Sequence, residues 1–375
     1  MVNMFDKSLI SGIFFFLLLL LAGNACSEAE PSYAGWTVGG PSDGYGTILR
    51  STDSGKTWIR QGAGQIADVP LFGVFAVDPY TAWVVGAPDE NGYGTIYHTT
   101  DGGDTWQRKG SSNTGSPDYV PDVLFFKVHA RGDDVWIVGT GTILHTSDGG
   151  ATWTNQVPDE YKDVELQGVF ALDHDTVWVT GGFDIAGHGV ILKTTDAGSN
   201  WTRQGGVDVD NVEHLLGISA ADADVAWAVG SSYSVLKTTD GGTTWTRDPI
   251  FSGLGDINEV YAVSTSIVWV ATDNKIFWTT DGGETWGNSS DHGLSGDIAF
   301  MGISAVSGQK AWTSYNNTPT QSGFIAYTTD GGTSWTKVDR LDGEDLPGLL
   351  TISFATQPIS TFKWSLFVPA LTGKK

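Results

Sequence analysis

Forty-three acidic side chains stand against twenty basic ones, so carboxylate chemistry is the first to consider: acid–base pairs for glycoside hydrolysis, or oxygen ligands for a cation. Seven aspartates recur in one setting, Ser/Thr-x-Asp-x-Gly-x-x-Trp or a near variant: Asp53, Asp101, Asp148, Asp196, Asp240, Asp281 and Asp330. A second set, Asp68, Asp122, Asp163 and Asp297, stands six residues before the central Val or Ile of an apolar run, with Asp210, Glu213, Asp256 and Asp345 in comparable places. If equivalent positions meet around one opening, opposed like charges there favour a bound calcium ion or a basic partner. No other cofactor is expected. The seven histidines (His98, His129, His145, His174, His188, His214 and His292) show no His-x-His or His-Glu-x-x-His spacing, so a transition-metal site has no support.

The elements that must hold these residues follow from the tryptophans. Each aspartate box closes on one, Trp58, Trp106, Trp153, Trp201, Trp245, Trp286 and Trp335, at intervals of 48, 47, 48, 44, 41 and 49 residues. About twenty residues ahead of each stands another: Trp36, Trp83, Trp136, Trp178, Trp227, Trp269 and Trp312. Ahead of that comes an apolar run such as Leu71-Phe-Gly-Val-Phe-Ala, Leu166-Gln-Gly-Val-Phe-Ala or Phe300-Met-Gly-Ile-Ser-Ala, with looser versions at Leu124 and Ile257, and between the two tryptophans a Gly-x-Ile-Leu-x-Thr-Thr strand, as at Gly141. Short β-branched runs bounded by Gly and Asp are strands, and four per unit with a period in the forties make a propeller blade. The expected fold is therefore all-β: a seven-bladed β-propeller of four-stranded antiparallel blades over 34–354. The first unit lacks its opening strand and the chain's end supplies a spare one, Leu349-Leu-Thr-Ile-Ser-Phe. The C-terminal strand is thus expected to close the first blade and remove exposed edges. Trp364 falls too late for an eighth unit, so 355–375 is expected to be a tail or an added strand.

On this fold the boxes occupy the hairpins between third and fourth strands, where Asp accepts turn N–H groups, Gly supplies positive φ and Trp wedges against a neighbouring sheet. Their role is read as structural, because seven hairpins pointing apart cannot converge on one substrate. The other face carries the inter-blade loops and the loops between second and third strands. The latter vary most in length, and beside them lie Tyr45, Tyr93, Phe183 and Tyr315, aromatics suited to stack on a sugar or peptide. Arg60, Arg108, Arg203 and Arg247 closely follow box tryptophans and Arg50 precedes a box, which assigns them to the hairpin end; only Arg340 falls in a loop of the other face. Arg131-Gly132-Asp133 spells an adhesion tripeptide, a match expected by chance in a chain this rich in Gly and Asp.

The N-terminus carries Lys7, ten unbroken apolar residues over 13–22 and then the only cysteine, Cys26. That run is short for a membrane span and right for a signal peptide, here 1–25, with a linker over 26–33. The setting of Cys26 resembles the acylated cysteine of bacterial lipoproteins, with Gly23 where that motif usually has Leu. It implies a secreted or lipid-anchored location at the envelope, with the membrane engaged only through the lipid. The body beyond has no cysteine and so no disulfide. A formal charge of −23 speaks against nucleic acid, whose phosphates require Lys and Arg surfaces.

The boxes resemble those of bacterial sialidases, whose chemistry needs an arginine triad and a Tyr/Glu pair; one loop arginine is not a triad, and the Arg-Ile-Pro signature is missing. Asp-box xyloglucanases, which use two carboxylates, have two propellers and about twice this length. Taken whole, the stretch from Trp136-Ile-Val-Gly-Thr-Gly-Thr-Ile-Leu-His-Thr-Ser-Asp-Gly-Gly-Ala-Thr to Trp153, and that from Ala226-Trp-Ala-Val-Gly to Trp245, resemble the photosystem II stability and assembly factor family and its bacterial relatives. That resemblance covers about 34–354. In phototrophs the family binds a photosystem II reaction-centre precursor, with arginines forming a surface patch. It implies a noncatalytic, monomeric scaffold that binds an envelope or secreted protein, or a polysaccharide; the alternative is a carbohydrate-active enzyme using carboxylates of the channel face.

Overall fold

The computed structural model describes residues 30–253, 255–289, 298–317, 319–320, 322–338, 346–357 and 359. The leader, Cys26, Trp364, Asp297, Arg340 and Asp345 lie outside them. Seven four-stranded antiparallel sheets make up the fold. Their inner strands are Leu71–Ala76, Phe125–Arg131, Leu166–Ala171, Leu215–Ala220, Ile257–Ala262, Ile298–Ala305 and Leu349–Phe354. The last belongs to blade 1, where it pairs with Gly35–Ser42 (Gly35↔Phe354, Trp36↔Ser353, Thr37↔Ile352). Both ends of the described chain thus share one sheet, and the ring is closed.

The boxes form seven near-identical turns. In blade 2 the Thr99 hydroxyl donates to Asp101 Oδ1 at 2.8 Å and accepts the Gly103 N–H at 2.7 Å. Asp101 Oδ1 also accepts the Thr105 N–H at 3.0 Å, and Oδ2 the Thr105 hydroxyl at 2.6 Å. Gly102 and Gly103 adopt φ of 79° and 83°, a region that costs a side chain strain and glycine nothing. Gly102 N–H then donates to Tyr80 O in the turn after the blade's inner strand.

Each box tryptophan closes a joint with the preceding blade. Trp153 meets Trp83, Trp201 meets Trp136, Trp245 meets Trp178 and Trp335 meets Trp269, all edge to face with centroids 5.8–6.2 Å apart. Trp106 with Trp36, Trp286 with Trp227 and Trp58 with Trp312 share the remaining three joint clusters. The second-strand tryptophans are at most 1% exposed. Such ring pairs add directional attraction to the burial itself.

The joints are capped by a residue on each third strand opposite the buried tryptophan. His98 and His145 stack on Trp83 and Trp136 at 4.0 and 3.8 Å, and the Lys193 ammonium lies 4.2 Å from the Trp178 ring. Lys193 and Lys237 also donate to the carbonyls of Gly241 and Gly282 in the next blade's box.

Candidate functional site: the loop face and the central channel

Every inner strand carries a β-bulge, at its second residue in six blades and at the fourth in blade 7, seen as a skipped register between Leu71 and Gly73, Phe125 and Lys127, Leu166 and Gly168, Leu215 and Gly217, Ile257 and Glu259, and Phe300 and Gly302, with its counterpart opposite Val38 and Gly39 in blade 1. A bulge re-aims the extra side chain. Here the extra residues are Phe72, Phe126, Gln167, Leu216, Asn258, Met301 and Leu350, and all seven line a shallow cavity of about 170 Å³ at the channel mouth on the loop face.

One residue further on, four strands have glycine: Gly73, Gly168, Gly217 and Gly302. Blades 3 and 6 have Lys127 and Glu259 instead, and these two side chains form an ion pair across the channel. The glycines leave room for it; a β-carbon on Gly217 would sit 3.1 Å from Glu259 Oε1. Beyond the pair the channel widens into a chamber of about 690 Å³, which opens among the turns on the box face. The two cavities share only Lys127, Glu259 and Thr351 among their lining residues. The ion pair is a septum.

The structure places the residues singled out in the sequence as follows. Asp68, Asp122 and Asp163 are exposed, in inter-blade loops, and line neither cavity. The mouth cavity itself is lined by side chains of the strands, which the bulges send into it: five apolar residues beside Gln167, Asn258, Thr351 and the Lys127–Glu259 pair. Among the described residues no group of three or more His, Cys, Asp or Glu side chains is placed to hold a metal ion. Asp297 lies outside the described residues.

Of the four aromatics, Tyr45 and Tyr93 are half-buried, each under a guanidinium: Arg60 over Tyr45 and Arg108 over Tyr93, both at 4.2 Å. Tyr315 departs from the expectation of a loop aromatic. It is 3% exposed, in the strand Ala311–Asn317, packed between Phe300 and Phe324. Phe183 alone projects, 55% exposed, its ring edge to face with His214 at 5.1 Å.

The arginines also require a correction. Arg60, Arg108, Arg203 and Arg247 sit on fourth strands only two or three residues long. A guanidinium from there reaches the opposite end of the blade. Arg60 donates to Ser42 O and pairs with Asp43, and Arg108 donates to Tyr93 O and Gly94 O and pairs with Asp89. Arg203 donates to Gly189 O and pairs with Asp210, while Arg247 donates to Ser232 O. The four therefore belong to the loop face, as struts that tie down the loops between second and third strands, three of them neutralised by carboxylates.

The box carboxylates are all engaged in their own turns. Hydrogen bonds from the Thr105 side chain and backbone hold Asp101 down to a pKa of about 2, and those from Thr285 do the same for Asp281.

Of the exposed large apolar side chains among the described residues, Ile59, Tyr80 and Leu124 lie apart in blades 1 to 3, and the other five fall in blades 4 and 5 and their following connections. Phe183 and Ile185, 103% exposed, lie at the loop between second and third strands of blade 4, and Val207, 76% exposed, starts the single-turn helix Val207–Asp210 in the connection to blade 5. Tyr233 stands on the corresponding turn of blade 5 and Ile250 in its connection to blade 6. All five belong to the loop face of two adjacent blades. Acidic residues intersperse them: Asp184, Asp208, Asp210 and Glu213.

With this geometry established, the likeness to known proteins can be located. Residues 65–208 match the family model of the Photosynthesis system II assembly factor YCF48. That stretch is under half of the chain and covers blades 2 to 4. A solved structure of YCF48 bound to D1 peptide is similar at 21% identity and a TM-score of 0.52, over 72% of this chain and 80% of that one. YCF48 from Cyanidioschyzon merolae is similar at 18% identity and 0.52, over 72% and 84%. An ancestral GH74 enzyme is similar at 15% identity and 0.54, over 73% of this chain but only 39% of its own. At such identities the structural likeness is one of fold. Comparison with curated proteins finds no match.

Proposed function

We propose that this protein is a noncatalytic propeller that works outside the cytoplasm, carried there by the leader and held at the envelope by a lipid on Cys26, and that it grips a protein partner on the loop face of blades 4 and 5. The observation that carries this reading is the gathering of Phe183, Ile185, Val207, Tyr233 and Ile250 on one face of two neighbouring blades. Exposed apolar side chains grouped within a polar rim mark protein-binding surfaces. Since that rim is acidic, the partner segment presents apolar residues flanked by Lys or Arg. The similarity to YCF48, solved with a D1 peptide, favours a polypeptide over a sugar.

Glycoside hydrolysis with two carboxylates needs a facing pair. Among the described residues Glu259 is the one carboxylate lining either cavity, and it is held by Lys127. The test is crosslinking capture from envelope extracts with the full chain and with Ile185→Asp/Val207→Asp, beside a hydrolysis screen on xyloglucan and sialosides. A stoichiometric protein retained by the parent and lost by the variant is the expected result. Turnover of either glycan, or capture unaffected by the double substitution, would reject the assignment.

A further inference from the structure

The Lys127–Glu259 pair lies between the mouth cavity and the chamber, and the chamber wall is not uniform. At the fifth position of the inner strands, blades 2, 3 and 4 contribute Phe75, His129 and Phe170, packed in sequence with centroids 4.2 and 4.7 Å apart and planes tilted by 42° and 49°. Across from them blade 6 contributes Tyr261. Blades 5, 7 and 1 have Ser219, Ser304 and Ser353 at this level, each committed to a backbone N–H of the next blade (Ala262, Phe354 and Ala76) at 3.0 Å. One side of the chamber is thus an aromatic wall, whereas the serine positions are small and each hydroxyl already accepts one backbone N–H.

Three polar groups in the chamber are not so committed. His129 is 92% buried by its 8% exposure, and its Nδ1 is enclosed with no protein partner. Burial holds its pKa down to about 3, so the ring is neutral and offers one donor and one acceptor. Burial pushes the Tyr261 phenol up to about 12, leaving it a hydroxyl donor. Arg131, at the chamber's opening, uses Nε on Ala171 O at 3.0 Å and has no carboxylate partner among the described residues. It contrasts with Arg60, Arg108 and Arg203, which are all paired. Because Lys127 and Glu259 cancel, the chamber carries one net positive charge in a chain of charge −23.

We infer that this chamber is a binding site for a small planar aromatic monocarboxylate, its carboxylate on the Arg131 guanidinium and its ring against Phe75, His129 and Phe170. The volume falls in the range of small-molecule sites, and an apolar lining with a few convergent polar groups is their usual make-up. An arginine without a carboxylate partner suits a planar anion bidentately, which a lysine would not. The Arg131-Gly132-Asp133 tripeptide then has a place: it is the hairpin turn that delivers Arg131 to the opening.

The test is calorimetric titration of the full chain at pH 7 with 2-naphthoate and, for comparison, the neutral 2-naphthylmethanol, using the parent, Arg131→Gln, Arg131→Lys and Arg247→Gln. The expected outcome is one-to-one binding of naphthoate at least tenfold tighter than of the alcohol. That preference disappears in Arg131→Gln, survives in part in Arg131→Lys and is unchanged in Arg247→Gln, whose arginine lies on the opposite face. Arg131 is exposed on its turn, and an unchanged circular dichroism melt of each variant separates lost binding from lost fold. No saturable binding by the parent, equal binding of acid and alcohol, or an Arg131→Gln variant that binds like the parent would each overturn the assignment. The outcome is independent of the partner-binding reading, which concerns the other face.

Discussion

At the scale of single residues, the ion pair of Lys127 and Glu259 is the feature with the clearest energetic signature. Its two side chains are 22% and 10% exposed, so removing one partner strands the other charge in the channel, whereas removing both replaces a desolvated pair by apolar contact. Lys127→Met alone should destabilise the fold by about 3 kcal/mol, while Lys127→Met/Glu259→Leu should come close to the parent or above it. Urea unfolding of the four corners of this double-mutant cycle measures the coupling; equal and additive losses would mean that the pair is solvated and no septum. The pair was present in the sequence as the two charged residues among three departures from glycine at one repeat position, the third being Thr351. No local pattern reveals it, because only the ring geometry sets blades 3 and 6 across from each other. Tyr315 and the strand-four arginines were misplaced for a related reason: position along a strand does not tell how far a long side chain reaches, or whether a loop-flanking ring turns inward.

At the scale of the element, the repeat unit is a sheet that cannot bury its own tryptophan. Trp245 on the box of blade 5 is 4% exposed and meets Trp178 of blade 4 at 5.8 Å with planes at 90°. Trp245→Ala should therefore cost roughly 3–5 kcal/mol, the usual loss for emptying an aromatic site in a core. It should do so without moving the box aspartate, whose bonds to Thr238 and Thr244 are local. Chemical denaturation measures the loss, and a change below about 1 kcal/mol would show that the joint is not made by this ring. The boxes, the tryptophans and the strand order were legible in the sequence because each is a local pattern repeated seven times. The bulge near the start of every inner strand was not, since a bulge is defined by the partner strand's register.

At the scale of the molecule, closure rests on one strand. Leu349–Phe354 pairs with blade 1, while Phe354 stacks on Trp312 of blade 7 at 3.8 Å and the Ser353 hydroxyl accepts the Ala76 N–H of blade 2. A chain ending at residue 348 leaves blade 1 with three strands and an exposed edge beside its neighbours. It should lose the single cooperative thermal transition of the full chain, and a peptide of residues 349–359 supplied in trans should restore it by adding the strand back. Circular dichroism melting with and without the peptide reads this directly; an unaltered transition in the shortened chain would show that the ring does not need its closing strand. What this chain shares with the YCF48 and GH74 propellers at 15–21% identity is likewise the ring.

The sequence by itself determined the number of blades, their strands, the turns at the boxes and the closure by the C-terminal strand. Period, glycine and tryptophan are enough for these, because each depends on neighbours close along the chain or on exact repetition. Only the tertiary structure decided that Lys127 reaches Glu259, that Arg131 enters a chamber, and that five exposed apolar residues of blades 4 and 5 share a face. Those juxtapositions join residues up to 132 positions apart. They follow from the angle at which blades meet around the axis, which no local pattern encodes.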